Sequence, residues 1–191
     1  AVTKAAADTI KRVALELGGK SPNLLFADAD LPTAAKVSVD ACFINNGQSC
    51  DAASRLLVEK SVYDEVVSLV TKEVENSKVG DPMEDGDHIG PREHKKQFEH
   101  VQRLNKGYYI RPTVFTDVNN DMVIAREEVF GPVLAVLPFE TEEEAIEIAN
   151  DTPYGLAAYI QSGDTDRINR VSRKLRAGVV NVNGEGGDYD V

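Results

Sequence analysis

Residues 133–161, VLAVLPFETEEEAIEIANDTPYGLAAYIQ, carry the pattern of a complete strand–helix–strand unit. The first run, Val133 to Pro138, is apolar at consecutive positions, as strands buried on both faces are. Thr141 with Glu144 forms a capping box ahead of helically spaced apolar residues, and Ala157 to Gln161 is a second apolar run. A strand, a helix and another strand in this order are the building unit of a parallel sheet.

The same alternation continues on both sides of this unit and predicts an α/β fold around a mostly parallel twisted sheet. The other predicted strands are Asn23 to Phe26, Arg55 to Glu59, Ile110 to Phe115 and Gly178 to Asn183. The other predicted helices run from an Asp30 cap to about Phe43, from Ser61 to about Asn76, from Pro91 to Leu104, and from an Asp164 or Thr165 cap to Arg176, ahead of Gly178.

The composition restricts the partners of the chain. Of its 191 residues, 42% are hydrophobic, enough for one packed domain, and no apolar stretch approaches the roughly 20 residues that span a bilayer. Lys and Arg number 21 against 32 Asp and Glu, a formal net charge of −11. Such a charge offers no broad positive field to phosphates, so we expect neither nucleic acid nor a membrane surface as a partner.

Two cysteines, Cys42 and Cys50, are too few for a disulfide framework and lack zinc-site spacing, so we expect a reducing, cytoplasmic compartment and no metal site. Cys50 ends the segment Asn45-Asn46-Gly47-Gln48-Ser49-Cys50. A nearby glycine lets the backbone turn tightly and present a thiol with its own N–H toward a cleft, as a covalent nucleophile requires. A buried, inert thiol stays open for Cys50 on this segment alone and is our interpretation of Cys42.

Glu16 stands between Leu15 and Leu17, directly ahead of Gly18-Gly19-Lys20. A carboxylate that apolar neighbours desolvate suits a general base, whereas a strand-end glutamate facing water is the alternative. The glycine pair is not a dinucleotide fingerprint, because no GxGxxG follows a strand here.

A third segment, Glu127-Glu128-Val129-Phe130-Gly131-Pro132, precedes a predicted strand. A carboxylate in such a loop can accept both hydroxyls of a ribose, and an aromatic side chain beside it can pack against a ring. A solvated acid pair with Phe130 in the core is the alternative.

Five segments, taken in order, resemble the aldehyde dehydrogenase superfamily. They are Glu16 to Pro22, Gly47 to Cys50, Pro112 to Phe115, Glu127 to Pro132 and Asn150 to Leu156. The interval of 34 positions from Glu16 to Cys50 is similar to that between the family's general base and nucleophile. The resemblance covers the chain from Lys11 to Asn183 and implies a three-layer αβα catalytic domain of this family's type over residues 1–191.

The resemblance implies a catalytic thiol at Cys50 and, at Glu16, the base that activates the deacylating water. Four residues are similar to family positions near the nicotinamide half of the coenzyme: Glu128, Phe130, Leu17 and Gly18. Asn183 matches a family asparagine near the active site with a more structural role. The implied reaction oxidises a small aldehyde to a carboxylic acid with NAD or NADP, through a thiohemiacetal and a thioester on cysteine.

Family members also contain parts that this chain lacks. These are a preceding coenzyme-binding domain, some tens of residues ahead of Gly107, and a C-terminal tail used in oligomer formation. The chain also begins without Met and ends on a glycine-rich stretch. We therefore predict the catalytic domain of a longer homo-oligomeric enzyme, with little activity in isolation.

Two functions of other classes stay open on the residues alone. A coenzyme-independent thiol esterase could use Cys50 and Glu16 on an activated ester. A non-catalytic scaffold could keep the fold, and its Cys50 would alkylate no faster than Cys42. A coenzyme A-dependent acylating relative is disfavoured, because such enzymes need no water-activating glutamate and this chain has one at Glu16.

Overall fold

Six parallel strands form the sheet seen in the computed structural model, which describes residues 2–81, 83–85, 89–91 and 109–184. In chain order they are β1 (Pro22–Leu25), β2 (Arg55–Glu59), β3 (Thr113–Phe115), β4 (Val133–Phe139), β5 (Ala157–Gln161) and β6 (Val179–Val182). Their order across the sheet is β3-β4-β2-β1-β5-β6, and every neighbouring pair runs parallel. The predicted α/β class and parallel sheet are confirmed.

Helices cover both faces of this sheet. The described helices are α1 (Val2–Ala7), which has no buried residue, α2 (Leu31–Phe43), α3 (Tyr63–Asn76), α4 (Val123–Arg126), α5 (Glu142–Asn150) and α6 (Thr165–Ser172). Leu56 and Val58 of β2 pack with α2 and α3, whereas Leu57 between them packs with α5 and α6. Because successive strand residues point to opposite faces, these two clusters are the two halves of a three-layer αβα core.

The observed strands follow the predicted ones closely. β2 and β5 have the predicted bounds, whereas the strand predicted from Ile110 begins only at Thr113. Pro112 has no N–H to donate, and the Thr113 N–H makes the bond to the carbonyl of Pro132 at 3.0 Å. The helix predicted from Pro91 to Leu104 lies outside the described residues, apart from Pro91 itself.

Side-chain caps fix where three of the described helices begin. Asp30 accepts the N–H of Thr33 ahead of α2, and Thr141 accepts that of Glu144 ahead of α5. Asp164, not Thr165, caps α6, because its carboxylate accepts two backbone N–H groups of the first turn. A carboxylate is the better cap here since it also complements the positive end of the helix.

The cap predicted at Ser61 is wrong. Its hydroxyl bonds instead to the carboxylate of Glu59 at 2.9 Å, and a single 3₁₀ turn over Lys60–Val62 precedes α3. The helix therefore begins at Tyr63 without a side-chain cap. The end predicted at Arg176 also differs. The helix α6 stops at Ser172, where the next N–H groups share the carbonyl of Val171.

The topology places three sequence segments at one edge of the sheet. The segments around Gly18, Cys50 and Phe130 each lead directly into a strand, namely β1, β2 and β4. Because the strands are parallel, all three segments lie at the amino-terminal edge. No helix within the described residues is long and apolar enough to cross a membrane.

Candidate active site

The glycine pair Gly18-Gly19 lies between Glu128 and Cys50. The N–H of Gly19 donates to Glu128 Oε1 at 3.2 Å, and a Cβ added to Gly18 would stand 2.2 Å from Glu128 Oε2. A Cβ added to Gly19 would stand 2.2 Å from the backbone oxygen of Cys50. Only glycine permits these approaches, so the pair joins the predicted carboxylate and thiol segments into one site.

Gly47 holds the loop that leads to Cys50. Its φ of +69° lies in the left-handed region, and an added Cβ would meet the carbonyl oxygen of Gly131 at 2.2 Å. Asn45 and Asn46 ahead of it also have left-handed backbones, and the side chains of Asn45 and Gln48 bond to each other's carbonyl oxygens. The cysteine loop is therefore fitted closely against the segment that carries Glu128 and Phe130.

The two cysteines occupy opposite environments. Cys42 is fully buried in α2, where its thiol contacts the carbonyl of Val133 and burial raises its pKa to about 12. Cys50 is half-buried in a turn. A thiol that stays protonated and covered is inert, so of the two Cys50 is the one placed to react.

A cleft opens beside the cysteine loop. Its volume is about 1270 Å³, and its lining includes Asn45, Asp51 and Tyr159. Ser49 donates to the carboxylate of Asp51 across Cys50, and Tyr159 donates to the backbone oxygen of Asp51 at 3.1 Å. The backbone that follows the thiol is thus held to β5, and Asp51 lines the cleft.

The structure separates the two neighbouring glutamates. Glu127 is exposed and its N–H closes the last turn of α4, whereas Glu128 is half-buried against the glycine pair. The alternative considered from sequence placed both glutamates in solvent, and it holds for Glu127 alone.

Phe130 has a backbone that L-residues rarely adopt, with φ of +57°, and its side chain is half-buried and outside the core clusters. Such strain costs about 1–3 kcal/mol, and it collects at functional sites. Phe130 is therefore not a core residue, and the alternative considered for it from sequence is wrong.

The apolar surroundings predicted for Glu16 are absent from the described part of the chain. Glu16 is exposed, and its neighbours Leu15 and Leu17 are 50% and 62% exposed. Residues 11–17 form neither helix nor strand, and none of them is buried. The backbone three residues further on still touches Cys50, and a role of Glu16 beside the thiol stays a prediction.

Asn183 lies at the other edge of the sheet, just after β6. Its side chain accepts the N–H of Ser162 and donates to the carbonyl of the same residue, both at 3.0 Å. This arrangement continues the β5–β6 ladder by one step and fits a structural role.

Two buried cations beneath the site carried no signal in the sequence. The guanidinium of Arg55 donates to Lys20 O, to Asn120 and to the carbonyl oxygens of Ile148 and Ala149 at 2.9–3.2 Å. Lys20 is 1% exposed, and its Nζ has no hydrogen-bond partner among the described residues. Burial lowers the pKa of Lys20 to about 8, an effect that Cys42 and Glu128 oppose and Arg55 reinforces.

Together these features provide the half-buried thiol of Cys50, the backbone N–H of the same residue, and the carboxylate of Glu128. The glycine pair allows the backbone to approach both segments closely. Within the described ranges, no group of three or more His, Cys, Asp or Glu side chains could hold a metal ion. The arrangement can support covalent chemistry on a carbonyl carbon beside a bound polyhydroxyl ligand.

The comparisons with known proteins agree on one family. A family model described as "Aldehyde dehydrogenase family" matches residues 1–106 and 101–190. The chain is 45% identical, over 98% of its length, to 3-succinoylsemialdehyde-pyridine dehydrogenase of a Pseudomonas species. It is also 45% identical, over 93% of its length, to peroxisomal aminoaldehyde dehydrogenase 1 of Pisum sativum. It spans 44% and 40% of the lengths of these two relatives.

Solved structures show the same likeness. The aldehyde dehydrogenase KauB of Pseudomonas aeruginosa superposes with a TM-score of 0.92 at 41% identity, over 98% of this chain and 42% of that one. A mutant of aldehyde dehydrogenase C of Pseudomonas syringae, solved with NAD+ and octanal, gives a TM-score of 0.89 at 41% identity over 95% and 42%.

Proposed function

This chain belongs to the aldehyde dehydrogenase family, and from that premise we propose that residues 1–191 are the catalytic domain of a longer NAD(P)-dependent aldehyde dehydrogenase. The observation that carries the proposal is the contact of the glycine pair with both Glu128 and the Cys50 backbone. Hydride removal from a cysteine-bound substrate requires a thiol near a carboxylate that can hold the coenzyme ribose, and the segments of Cys50 and Glu128 meet at the same two glycines.

Cys50 is the proposed nucleophile. Its thiolate attacks the aldehyde carbon and forms a thiohemiacetal, whose oxyanion can be held by the Cys50 N–H. Loss of hydride then leaves a thioester on the same sulfur. Sulfur suits both halves, because thiolate is a strong nucleophile and also a good leaving group.

Glu16 is the proposed base for the second half. Its carboxylate takes a proton from water as that water attacks the thioester, and the acid product leaves with Cys50 restored as thiolate. The exposure of Glu16 is compatible with a proton that must afterwards return to solvent.

The residues near the glycine pair fit the nicotinamide half of a coenzyme. NAD or NADP, when bound, supplies the acceptor for the hydride. Glu128 would hold the ribose hydroxyls, Phe130 would pack beside the nicotinamide, and Leu17 and Gly18 would offer backbone carbonyls. The observation that supports this fit is the space beside Gly18. The Glu128 carboxylate occupies the position that a Cβ on Gly18 would fill.

The test is coenzyme reduction by the longer protein across a series of aldehydes, with Cys50→Ser compared with Cys42→Ser. We expect Cys50→Ser to lower kcat/KM by about a thousandfold or more, and Cys42→Ser to leave it close to the parent value. Glu16→Gln should release one equivalent of reduced coenzyme rapidly and then stall at the thioester. Equal activity of the two cysteine variants would exclude the proposed nucleophile.

A thiol esterase is the second candidate, favoured by a cysteine loop that this chain assembles from its own residues. It predicts hydrolysis of nitrophenyl acetate that needs Cys50 but no coenzyme, in a protein that reduces no NAD(P).

The substrate and the assembly belong to the proposal as well. The relatives act by name on several aldehydes and include peroxisomal and chloroplastic enzymes. A small aldehyde as substrate, a homo-oligomeric enzyme and a cytoplasmic location stay predictions for this protein.

A further inference from the structure

Arg55 is the first residue of β2, and it is fully buried at the edge of the sheet where the candidate site lies. Its guanidinium donates to the carbonyl oxygens of Ile148 and Ala149 at the carboxyl end of α5, at 3.0 and 2.9 Å. These bonds serve to cap the helix, since its last carbonyl groups have no partner within it. Yet Arg55 also donates from Nε to the Lys20 carbonyl at 3.0 Å and from Nη1 to Asn120 Oδ1 at 3.2 Å. Capping of α5 leaves these two further bonds unexplained.

The bond to the Lys20 carbonyl leads to the glycine pair. Lys20 is covalently linked to Gly19, whose N–H donates to Glu128 Oε1 at 3.2 Å. On the other side of the pair, none of residues 11–17 is buried. Two successive glycines also allow the backbone a wide range of conformations. The bond from Arg55 therefore fixes the backbone directly after the pair.

The bond to Asn120 leads to the segment that carries Glu128. Asn120 Nδ2 donates to Asp151 Oδ2 at 2.7 Å, and Arg126 Nη1 donates to the same oxygen at 2.6 Å. Arg126 is the last residue of α4 and precedes Glu128 by two positions. Both segments that meet at the Gly19–Glu128 bond are thus anchored to the same guanidinium, one directly and the other through three side chains.

We propose that Arg55 is a positioning residue for coenzyme binding, which sets the spacing between the glycine pair and Glu128 through a network of Asn120, Asp151 and Arg126. The inference rests on the proposed function and adds these four residues to it. The Gly19–Glu128 bond is at the long end of the usual range, so it fixes the spacing weakly by itself. Binding groups need to stay within about 0.5 Å of their productive geometry, and the network provides that support from behind the site.

The test compares Arg126→Met with Arg170→Met in the longer protein. Arg126 is partly exposed, with 35% of its side chain accessible, so its replacement should leave the fold in place. Arg170 is the matched control, because it pairs with Glu142 at 2.7 Å at the opposite, amino end of α5. The dissociation constants of NAD and NADP are measured by calorimetry, together with the thermal midpoint and kcat at saturating coenzyme.

We expect Arg126→Met to weaken binding of the preferred coenzyme about fivefold, with kcat changed less than about twofold. Arg126→Lys should recover part of the affinity, because its ammonium can still donate to the Asp151 carboxylate. Arg170→Met should bind coenzyme like the parent, although it loses a similar ion pair. In a double-mutant cycle, Arg126→Met should add nothing to the loss caused by Glu128→Gln, because the network acts through that carboxylate.

Arg55→Lys tests the centre of the network. It keeps the charge but lacks the planar fork that reaches the Lys20 carbonyl and Asn120 together. We expect it to weaken coenzyme binding by about tenfold, more than Arg126→Met does, since both anchored segments are affected. If Arg55→Lys does not fold, the comparison of Arg126→Met with Arg170→Met decides alone.

A purely structural role for the network predicts different results. Arg126→Met would then lower the thermal midpoint and leave coenzyme affinity at the level of Arg170→Met, or its effect would multiply with that of Glu128→Gln. Either result overturns the inference and leaves the proposed function in place. A parent enzyme that binds neither coenzyme and reduces neither with any aldehyde would overturn both.

Discussion

At the scale of single residues, environment rather than residue type decides which side chains can react. Cys42 and Cys50 lie eight positions apart, yet one thiol is fully buried in a helix and the other is half-buried in a loop fitted to the glycine pair. The same contrast separates Glu127, exposed at the end of α4, from Glu128.

The first prediction concerns the two thiols. With a pKa raised to about 12, Cys42 carries roughly one part in ten thousand thiolate near pH 8. Iodoacetamide should therefore label Cys50 and leave Cys42 unmodified in the folded protein, while denaturant should expose both. Peptide mass spectrometry decides, and equal labelling of the folded protein would favour the scaffold hypothesis over a catalytic thiol.

The second prediction concerns the free energy of unfolding and Lys20. Burial lowers its pKa from 10.5 to about 8, so between these values the unfolded state binds more protons and stability rises with pH. Lys20→Met should therefore be more stable than the parent near pH 7, by up to about 3 kcal/mol, and this advantage should shrink by about pH 10. Urea unfolding at both pH values measures it, and Lys60→Met should show no such trend.

At the scale of elements, caps and proline set boundaries that apolar periodicity leaves open. Asp164 begins α6, Thr141 begins α5, and Pro112 delays β3 by removing a donor. Where two adjacent residues could both cap a helix, as Asp164 and Thr165 could, only the backbone geometry shows which one does. At Ser61 the neighbouring carboxylate of Glu59 takes the hydroxyl, and the cap is lost.

The third prediction tests the cap of α6. Asp164→Ala removes the acceptor of two first-turn N–H groups and should lower the free energy of unfolding by about 1 kcal/mol. Thr165→Ala is the matched control, since that side chain does not cap the helix, and it should cost clearly less. If the two variants lose equal stability, the assignment of the cap to Asp164 fails.

At the scale of the whole molecule, the candidate site lies at the amino-terminal edge of the parallel sheet. The loops before β1, β2 and β4 meet there, and Gly19 and Glu128 come into contact across 109 positions of sequence. Arg55 ties this edge to the carboxyl end of α5, so the site is anchored on rigid elements. The chain spans 40–45% of the length of the relatives compared, and the other half of a coenzyme site is expected from the remainder.

The fourth prediction follows from that division. The 191-residue chain alone should bind NAD weakly and reduce little or none of it with any aldehyde, whereas the longer protein should turn over. Coenzyme reduction by both samples, each with its intact mass verified, measures the difference. Turnover by a verified 20.8 kDa chain close to that of the longer protein would show that this domain needs no other part for catalysis.

The sequence by itself determined the fold class, five strands nearly to the residue, and the position of Cys50 as a candidate nucleophile. These properties are encoded locally, in apolar periodicity, capping side chains and short motifs. Tertiary structure alone decided that Glu128 is half-buried while Glu127 is exposed, that Cys42 is fully buried, and that Lys20 is buried with no hydrogen-bond partner for its Nζ among the described residues. Each of these depends on segments tens of positions apart meeting at one sheet edge, where burial and close backbone approach act on residues that sequence spacing cannot bring together.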